Sequence, residues 1–304
     1  MQLGFVSAIL AEQSLDEVLA LASREGFSTV ELMCWPIGRA DRKYAGVTHV
    51  NVCDFTQSKA DALCGMCALY GVSISGLGYY PNMLDPHQDV SGPAVAHFKK
   101  VIAAASLLGV HTVNGFVGRD WTQTVDDNWP RFLETWKPVV RWAEDYGVRI
   151  GIENCPMLFT RDEWPGGKNL LTTPAIWRRA FNDIPSASFG LNYDPSHLVL
   201  QDIDPISPLA EFKDKIFHLH AKDIQIDRAA LSQVGRFDFP LRWHHPRIPG
   251  HGEINWGRFM AEVKRIGYDA AVCIEVEDDA FARGLDGHTQ ALRAARDVLL
   301  PLIH

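Results

Sequence analysis

Ile150-Gly151-Ile152-Glu153 is a short apolar run that stops on a carboxylate, and the second half of the chain repeats this arrangement three times. Phe189-Gly190-Leu191-Asn192-Tyr193-Asp194, Ile216-Phe217-His218-Leu219-His220 and Ala271-Val272-Cys273-Ile274-Glu275 stop on aspartate, histidine and glutamate. Runs this short and this apolar read as parallel strands covered on both faces. In a barrel of such strands the chemistry collects at the C-terminal rim, so Glu, Asp, His and Glu are delivered to one mouth. A single strand-end carboxylate caps the next helix or pairs with an arginine. Four consecutive strands ending on metal-capable groups exceed what capping needs.

Working outward, Leu3 to Val6, Thr29 to Met33, Val72 to Leu77 and Thr112 to Phe116 are strand-like runs that complete a set of eight. Apolar residues recur at helical spacing over Leu15 to Arg24, Ser58 to Tyr70, Ala94 to Leu108, Arg131 to Tyr146, Pro174 to Phe181, Trp256 to Ile266 and Gly284 to Leu300. Eight alternating units predict an α/β chain closed as a (β/α)8 TIM barrel, a single domain over residues 1–304. Ser7-Ala8-Ile9-Leu10 follows the first strand where a dinucleotide fold would carry a Gly-rich turn. Gly26, Gly71, Gly109, Gly147 and Gly267 read as left-handed C-caps, and Ser14 and Thr173-Pro174 as helix starts. One long irregular segment, Ile224 to Asn255, follows the seventh strand and reads as a lid hinged at Pro246, Pro249, Gly250 and Gly252. Its plainer use is a subunit contact.

The chain of 304 residues is 47% hydrophobic and 22% charged, near globular averages. A net charge of −8 and a pI near 5.8 oppose binding that neutralises phosphates over a broad surface, so nucleic acid is not an expected partner. No apolar stretch reaches the roughly eighteen residues that cross a bilayer. Met1-Gln2-Leu3-Gly4-Phe5 enters a strand without a basic leader, so the expectation is a cytoplasmic protein with no membrane partner. The six cysteines are scattered, and Cys64 with Cys67 forms a CxxC inside a helical pattern with no second pair, which reads as reduced thiols.

Glu153, Asp194, His220 and Glu275 together are three carboxylates and one imidazole. That mostly hard set suits Mn²⁺ or Mg²⁺, with Co²⁺ as a substitute and zinc less favoured. Open coordination positions would take two oxygens of a hydroxy-carbonyl substrate.

Ile152-Glu153-Asn154, Asn192-Tyr193-Asp194-Pro195-Ser196-His197, His218-Leu219-His220-Ala221-Lys222-Asp223, Pro249-Gly250-His251-Gly252-Glu253-Ile254-Asn255-Trp256 and Gly267-Tyr268-Asp269 with Ile274-Glu275-Val276-Glu277-Asp278 carry a family resemblance. Over essentially the whole chain they resemble the sugar phosphate isomerase/epimerase superfamily of xylose isomerase-like TIM barrels. The superfamily holds ketose 3-epimerases, hydroxypyruvate isomerases, inosose dehydratases and endonuclease IV, so the resemblance narrows fold and metal site more than reaction.

By position, the resemblance implies metal ligation by Glu153, Asp194, His220 and Glu275. It implies that Glu153 and Glu275 also form the acid/base pair that moves a proton beside a carbonyl through a metal-stabilised enediolate. The implied activity is a sugar or keto-sugar isomerase or epimerase. The alternative is a dehydratase or lyase that eliminates from a keto-sugar or inosose, and a non-catalytic ligand-capturing barrel is a third. Endonuclease IV needs extra histidines where this chain has Gly76-Leu77-Gly78-Tyr79 and Asn114-Gly115-Phe116. Exposed barrel faces often pair in the superfamily, which allows a homo-oligomer.

The resemblance places His197 on substrate oxygens, with helix capping as its plainer role. His218 keeps strand parity with His220 and reads as a core or hydrogen-bonding residue one layer down. Lys222, Asp223, Asn154 and Glu277 adjoin the ligands and read either as orienting groups or as loop polarity. Trp35, Tyr79, Tyr80, Asn82, Phe116, Trp164, Trp243, His244 and His245 sit after strands as sugar-stacking or loop-packing groups, with Trp35, Tyr80, Asn82, Lys222, Trp243 and His245 as the candidate substrate contacts. Arg119, Arg161, Lys168, Arg242 and Arg247 lie in the same loops without a Gly-rich phosphate cradle, which favours a neutral sugar over a sugar phosphate.

Overall fold

The computed structural model describes residues 1–38, 45–158, 167–236, 238–281 and 283–303. Strands and helices alternate as β1 (Gln2–Val6), α1 (Leu15–Arg24), β2 (Thr29–Met33), α2 (Gln57–Tyr70), β3 (Ser73–Gly78), α3 (Gln88–Leu108), β4 (Thr112–Gly115) and α4 (Val125–Asp145). The second half continues as β5 (Arg149–Glu153), α5 (Pro174–Asp183), β6 (Phe189–Tyr193), α6 (Ser196–Val199), α7 (Ser207–Glu211), β7 (Ile216–Ala221), β8 (Asp223–Ile226), α8 (Arg228–Val234), β9 (His244–Arg247), α9 (Trp256–Arg265), β10 (Ala271–Ile274) and α10 (Leu285–Ile303). Eight strands close in the order β1-β10-β7-β6-β5-β4-β3-β2, the TIM barrel that the alternation predicts. Closure comes from β1 lying parallel to β10, with Gln2 opposite Ala271 and Phe5 opposite Ile274.

Strand parity divides the residues between two environments. Outward groups such as Val30, Ile150, Ile152, Leu191, Leu219 and Ile274 join the core beneath the helices. There Trp136 packs on Phe189 at 5.9 Å and donates from Nε1 to Val117 O at 3.2 Å. The alternate residues Glu31, Asn114, Asn192, His218, His220 and Cys273 are buried, and most are polar where such barrels usually stack branched aliphatics. Glycine makes room for this polarity, since a Cβ on Gly151 would stand 2.5 Å from Asn114 Oδ1.

The five glycine C-caps all have left-handed φ, between 65° and 78°. Ser14 forms a full capping box with Glu17, and the Thr173 side chain accepts from Ile176 N. Two helices begin earlier than their apolar pattern suggests. In α4 the Thr124 side chain accepts from Asp127 N, and Asp126 and Asp127 fill the first turn, so the cap sets the start and Pro130 lies inside. In α3 the helix likewise starts at Gln88 and carries Pro93 within.

The segment after β7 is more regular than its composition suggests. β8 and β9 pair antiparallel, Asp223 opposite Arg247 and Ile226 opposite His244, with α8 inserted between them. Pro246 sits within β9, which a two-stranded edge tolerates. Among the described residues no helix is long and apolar enough to cross a membrane.

Candidate metal centre

Glu153 is the last residue of β5, Asp194 follows β6, His220 lies near the end of β7 and Glu275 follows β10. One ligand atom from each falls within 4.8 Å of the others. His220 Nδ1 is 3.7 Å from Glu153 Oε2 and 3.7 Å from Glu275 Oε2, so the two glutamates flank one nitrogen. The strand ends therefore converge as the sequence pattern anticipates.

Two observations fit this cluster to a divalent ion. Asp194 Oδ2 and His220 Nδ1 are buried and make no hydrogen bond, which is costly unless a cation takes their lone pairs. Asp194 Oδ2 does lie 3.3 Å from both His197 Nε2 and Lys222 Nζ, so positive charge already faces it. The donor set of three carboxylates and one imidazole is an oxygen-rich cation site.

Glu31 on β2 is the part of the site that sequence reading missed. It is fully buried inside the barrel, where Tyr80 OH donates to Oε1 and His220 Nε2 lies 2.8 Å from Oε2. Asn192 Nδ2 also lies 2.9 Å from His220 Nε2, and one nitrogen cannot accept there and donate to Glu31 at once. A buried carboxylate facing a bare lone pair is repulsive, so Nε2 carries the hydrogen toward Glu31. Nδ1 is left facing the carboxylate cluster, the carboxylate–histidine pairing that orients ligating imidazoles. Burial opposes charge on Glu31, yet His220 and Tyr80 hold it below the usual carboxylate range. Burial also opposes charge on His220, but Glu31 and Glu153 raise it well above the ordinary imidazole value, so this field favours a positive charge.

The glutamates differ. Glu153 is deeply buried, yet the hydrogen bond from His197 Nε2 at 3.1 Å and the charges of His220 and Lys222 hold it well below the usual range. Burial raises Glu275 to about 7, with Lys222 pulling down and Glu153 and Glu277 pushing up. Lys222 Nζ sits 2.6 Å from Glu275 Oε2 and 3.3 Å from Glu277 Oε2, and these acids keep the ammonium charged although it is buried.

Flanking groups hold the acids in place. Asn154 Nδ2 donates to Asp194 O at 2.9 Å while its Oδ1 accepts from Asp194 N at 2.8 Å, stapling β5 to β6. Ser196 donates to Asp194 Oδ1 from N and Oγ. His218 bonds Asn192 Oδ1 at 3.0 Å and Ser75 Oγ at 3.2 Å, the role its parity suggests. Asp223 is a loop anchor rather than a neighbour of the cluster, accepting from Gly250 N, Ile254 N and Trp256 Nε1.

A cavity of about 530 Å³ opens above these groups. Trp35, Tyr80, Phe116, His197, Lys222 and Glu277 line it. Three candidate contacts lie elsewhere. Asn82 bonds Arg119 O, Arg119 N and Leu84 N, which fixes the loops after β3 and β4. Trp243 lines a neighbouring cavity, and His244 takes the lining position expected of His245 because adjacent residues of β9 point to opposite sides. Lys168 stands over Trp121 at 4.3 Å, Arg242 pairs with Asp238 and Arg247 with Asp278, so these bases serve the loops themselves. Trp164 and Arg161 lie outside the described residues.

The family model of the xylose isomerase-like TIM barrel matches residues 19–300. An uncharacterised protein of Bacillus subtilis (strain 168), YfiH, is 25% identical over 319 residues, covering 91% of this chain and 93% of that protein. Inosose dehydratase of Lacticaseibacillus casei is 25% identical over 175 residues, 56% of this chain and 55% of the enzyme, so that likeness spans about half of each. In fold, the chain superposes on D-psicose 3-epimerase from Clostridium cellulolyticum H10 with a TM-score of 0.68 at 17% identity, covering 100% of both chains. It superposes on the IolI protein, solved with a bound zinc atom, with a TM-score of 0.72 at 17% identity, covering 100% of this chain and 98% of the other.

Proposed function

Because the chain belongs to the xylose isomerase-like TIM barrel family, we propose that it is a divalent-metal-dependent isomerase or epimerase of a small sugar or keto-sugar. Glu153, Asp194, His220 and Glu275 would hold the ion, Mn²⁺ by the oxygen-rich donor set, although the IolI relative carries zinc. Once bound, the ion supplies Lewis acidity to the substrate's carbonyl and hydroxyl oxygens.

The observation that carries the reading is the pair of glutamates each 3.7 Å from His220 Nδ1, one bonded by His197 and the other by Lys222. Glu153, held ionised by His197, is the base that takes a proton from the carbon beside the carbonyl. Glu275, bonded by Lys222 Nζ at 2.6 Å, is the proposed acid that returns a proton to the opposite face. His197 positions Glu153 and offers its ring to a substrate hydroxyl, Lys222 holds Glu275 in place, and Trp35 and Phe116 exclude water from one wall.

Deuterium wash-in from D₂O into ketoses, keto-acids and 3-keto-glycosides with Mn²⁺, read by NMR, tests the proposal. Wild type exchanges one carbon-bound hydrogen, while Glu153→Gln and Glu275→Gln fold normally and lose exchange by at least about a hundredfold. Exchange at the wild-type rate in either variant refutes its assignment. The partial likeness to inosose dehydratase favours a second reading, elimination from the same intermediate. The products separate the two, since an isomer conserves mass and elimination releases water or an alcohol.

A further inference from the structure

A second cavity of about 370 Å³ lies beside the first on the same rim, and Pro156, Leu158, Leu200 and Pro240 line both. Its remaining walls include described residues of the loop after β5, the start of α4, α5 and the insertion between β8 and β9, with Val125, Leu170, Ile176 and Trp243 presenting apolar carbon. Several polar side chains in these walls are engaged with neighbouring groups of the protein. Gln201 Nε2 donates to His197 O at 2.7 Å and Thr172 O at 3.1 Å, and Asn169 Nδ2 donates to Glu153 O and Cys155 O. Arg236 is paired with Asp202 at 2.6 Å, and Arg119 Nη2 donates to Gln123 O at 2.9 Å. The cavity thus offers apolar carbon beside polar side chains most of which bond neighbouring groups of the protein, a make-up suited to a hydrophobic or aromatic ring.

The main cavity alone falls in the size range of about 300 to 1000 Å³ that holds a small ligand, so a sugar over the acidic cluster has no need of the second space. We infer that the second cavity is a subsite for an apolar or aryl aglycone attached to the sugar that the main cavity holds. This rests on the isomerase reading and narrows its substrate class to glycosides or keto-glycosides of hydrophobic alcohols or phenols. The shared walls at Pro156, Leu158, Leu200 and Pro240 form the saddle over which the glycosidic linkage would pass. Asn169 and Gln201 reach from the subsite to the backbone of Glu153 and His197, which joins its wall to that of the main cavity.

Calorimetry with matched methyl and phenyl glycosides of glucose, galactose and their 3-keto forms tests the subsite without relying on turnover. The expected result is that in at least one pair the phenyl member binds about tenfold more tightly, the gain from burying an aryl ring. Val125→Trp, which fills the second cavity from a partly exposed position, removes that preference while leaving methyl glycoside affinity unchanged. Ile176→Trp provides a second filling variant should the first not fold. Equal affinities within every pair overturn the inference, as does phenol binding as tightly as its glycoside or a preference that survives both filled variants. Deuterium wash-in by wild type is read separately. Its absence sinks the isomerase reading while the binding result stands, and exchange without an aryl preference sinks only the subsite.

Discussion

On the β5–β6 side of the rim, each acid is tied to the backbone of its neighbour. On the β7–β10 side the charges hold one another. Asp194 is fixed by Asn154 and Ser196, and the carbonyl of Glu153 accepts from Asn169, so these groups keep their places with or without an ion. Glu275, whose side chain is 20% exposed, and Glu277, 31% exposed, are brought together by the ammonium of Lys222. The contrast assigns different jobs: one half is a template fixed by backbone hydrogen bonds, and the other is an electrostatic arrangement that a cation, on the proposed ligation, would reorganise.

The largest effect should come from removing the charge that holds the second half. Lys222→Met leaves Asp194, Glu275 and Glu277 facing one another, so EDTA-treated protein should lose about 4 kcal/mol of stability. Protein with Mn²⁺ should lose less, because the ion replaces the missing positive charge. Urea unfolding measures both, and an equal loss in the two conditions would erase the distinction between the halves.

Asn154→Ala tests the template directly. Two buried backbone groups of Asp194 lose their partners, and on the order of 3 kcal/mol should disappear equally with and without the ion. Recovery of that loss by Mn²⁺ would show the staple to be subordinate to the metal.

Glu31→Gln keeps the shape of the pairing with His220 but removes its charge. On the proposed ligation, Mn²⁺ affinity should fall about tenfold to a hundredfold while the fold is retained. Titration followed by manganese electron paramagnetic resonance reads the change, and an unchanged affinity removes Glu31 from any orienting role.

The smallest effect concerns the insertion of β8 and β9. Burial pushes the His244 imidazole down to about 4, although its Nδ1 bonds Pro240 O at 2.7 Å. In the unfolded chain this group takes its proton near 6.5, so between those values the unfolded state binds more protons and stability is lost as the pH is lowered. From pH 7 to pH 5 the loss attributable to His244 should be on the order of 2 kcal/mol. Wild type should therefore show a steeper dependence than His244→Gln in urea unfolding, and parallel curves would remove His244 as the cause.

The four strand-end ligands were legible in sequence on both sides of the rim. Glu153, Asp194, His220 and Glu275 stand at the ends of apolar runs, where strand parity and barrel topology leave one destination for a side chain. Glu31 is a single acid in the middle of Thr29-Val30-Glu31-Leu32-Met33, and nothing local distinguishes an inward carboxylate from a solvated one. Its only signal is that β2 is buried at every position, a tertiary fact. The lid failed for another reason. The partners β8 and β9 are separated by α8, so neither a hairpin turn nor an alternating pattern marks their register, and His244 and His245 cannot be told apart without it. Asn82 reads as a substrate contact in sequence because loop polarity looks alike whether it serves a substrate or the loop's own backbone.

Asp223 follows Lys222 directly and gathers Gly250, Ile254 and Trp256 around one carboxylate, so tightly that a Cβ on Gly252 would stand 2.2 Å from Oδ1. Both feet of the insertion are thereby bolted to the same foundation, beneath the first residue pair of its hairpin. Sequence between Ile226 and His244 can then be lengthened, shortened or exchanged without shifting the floor of the cavity. Diversification of what the rim recognises is uncoupled from preservation of what it does.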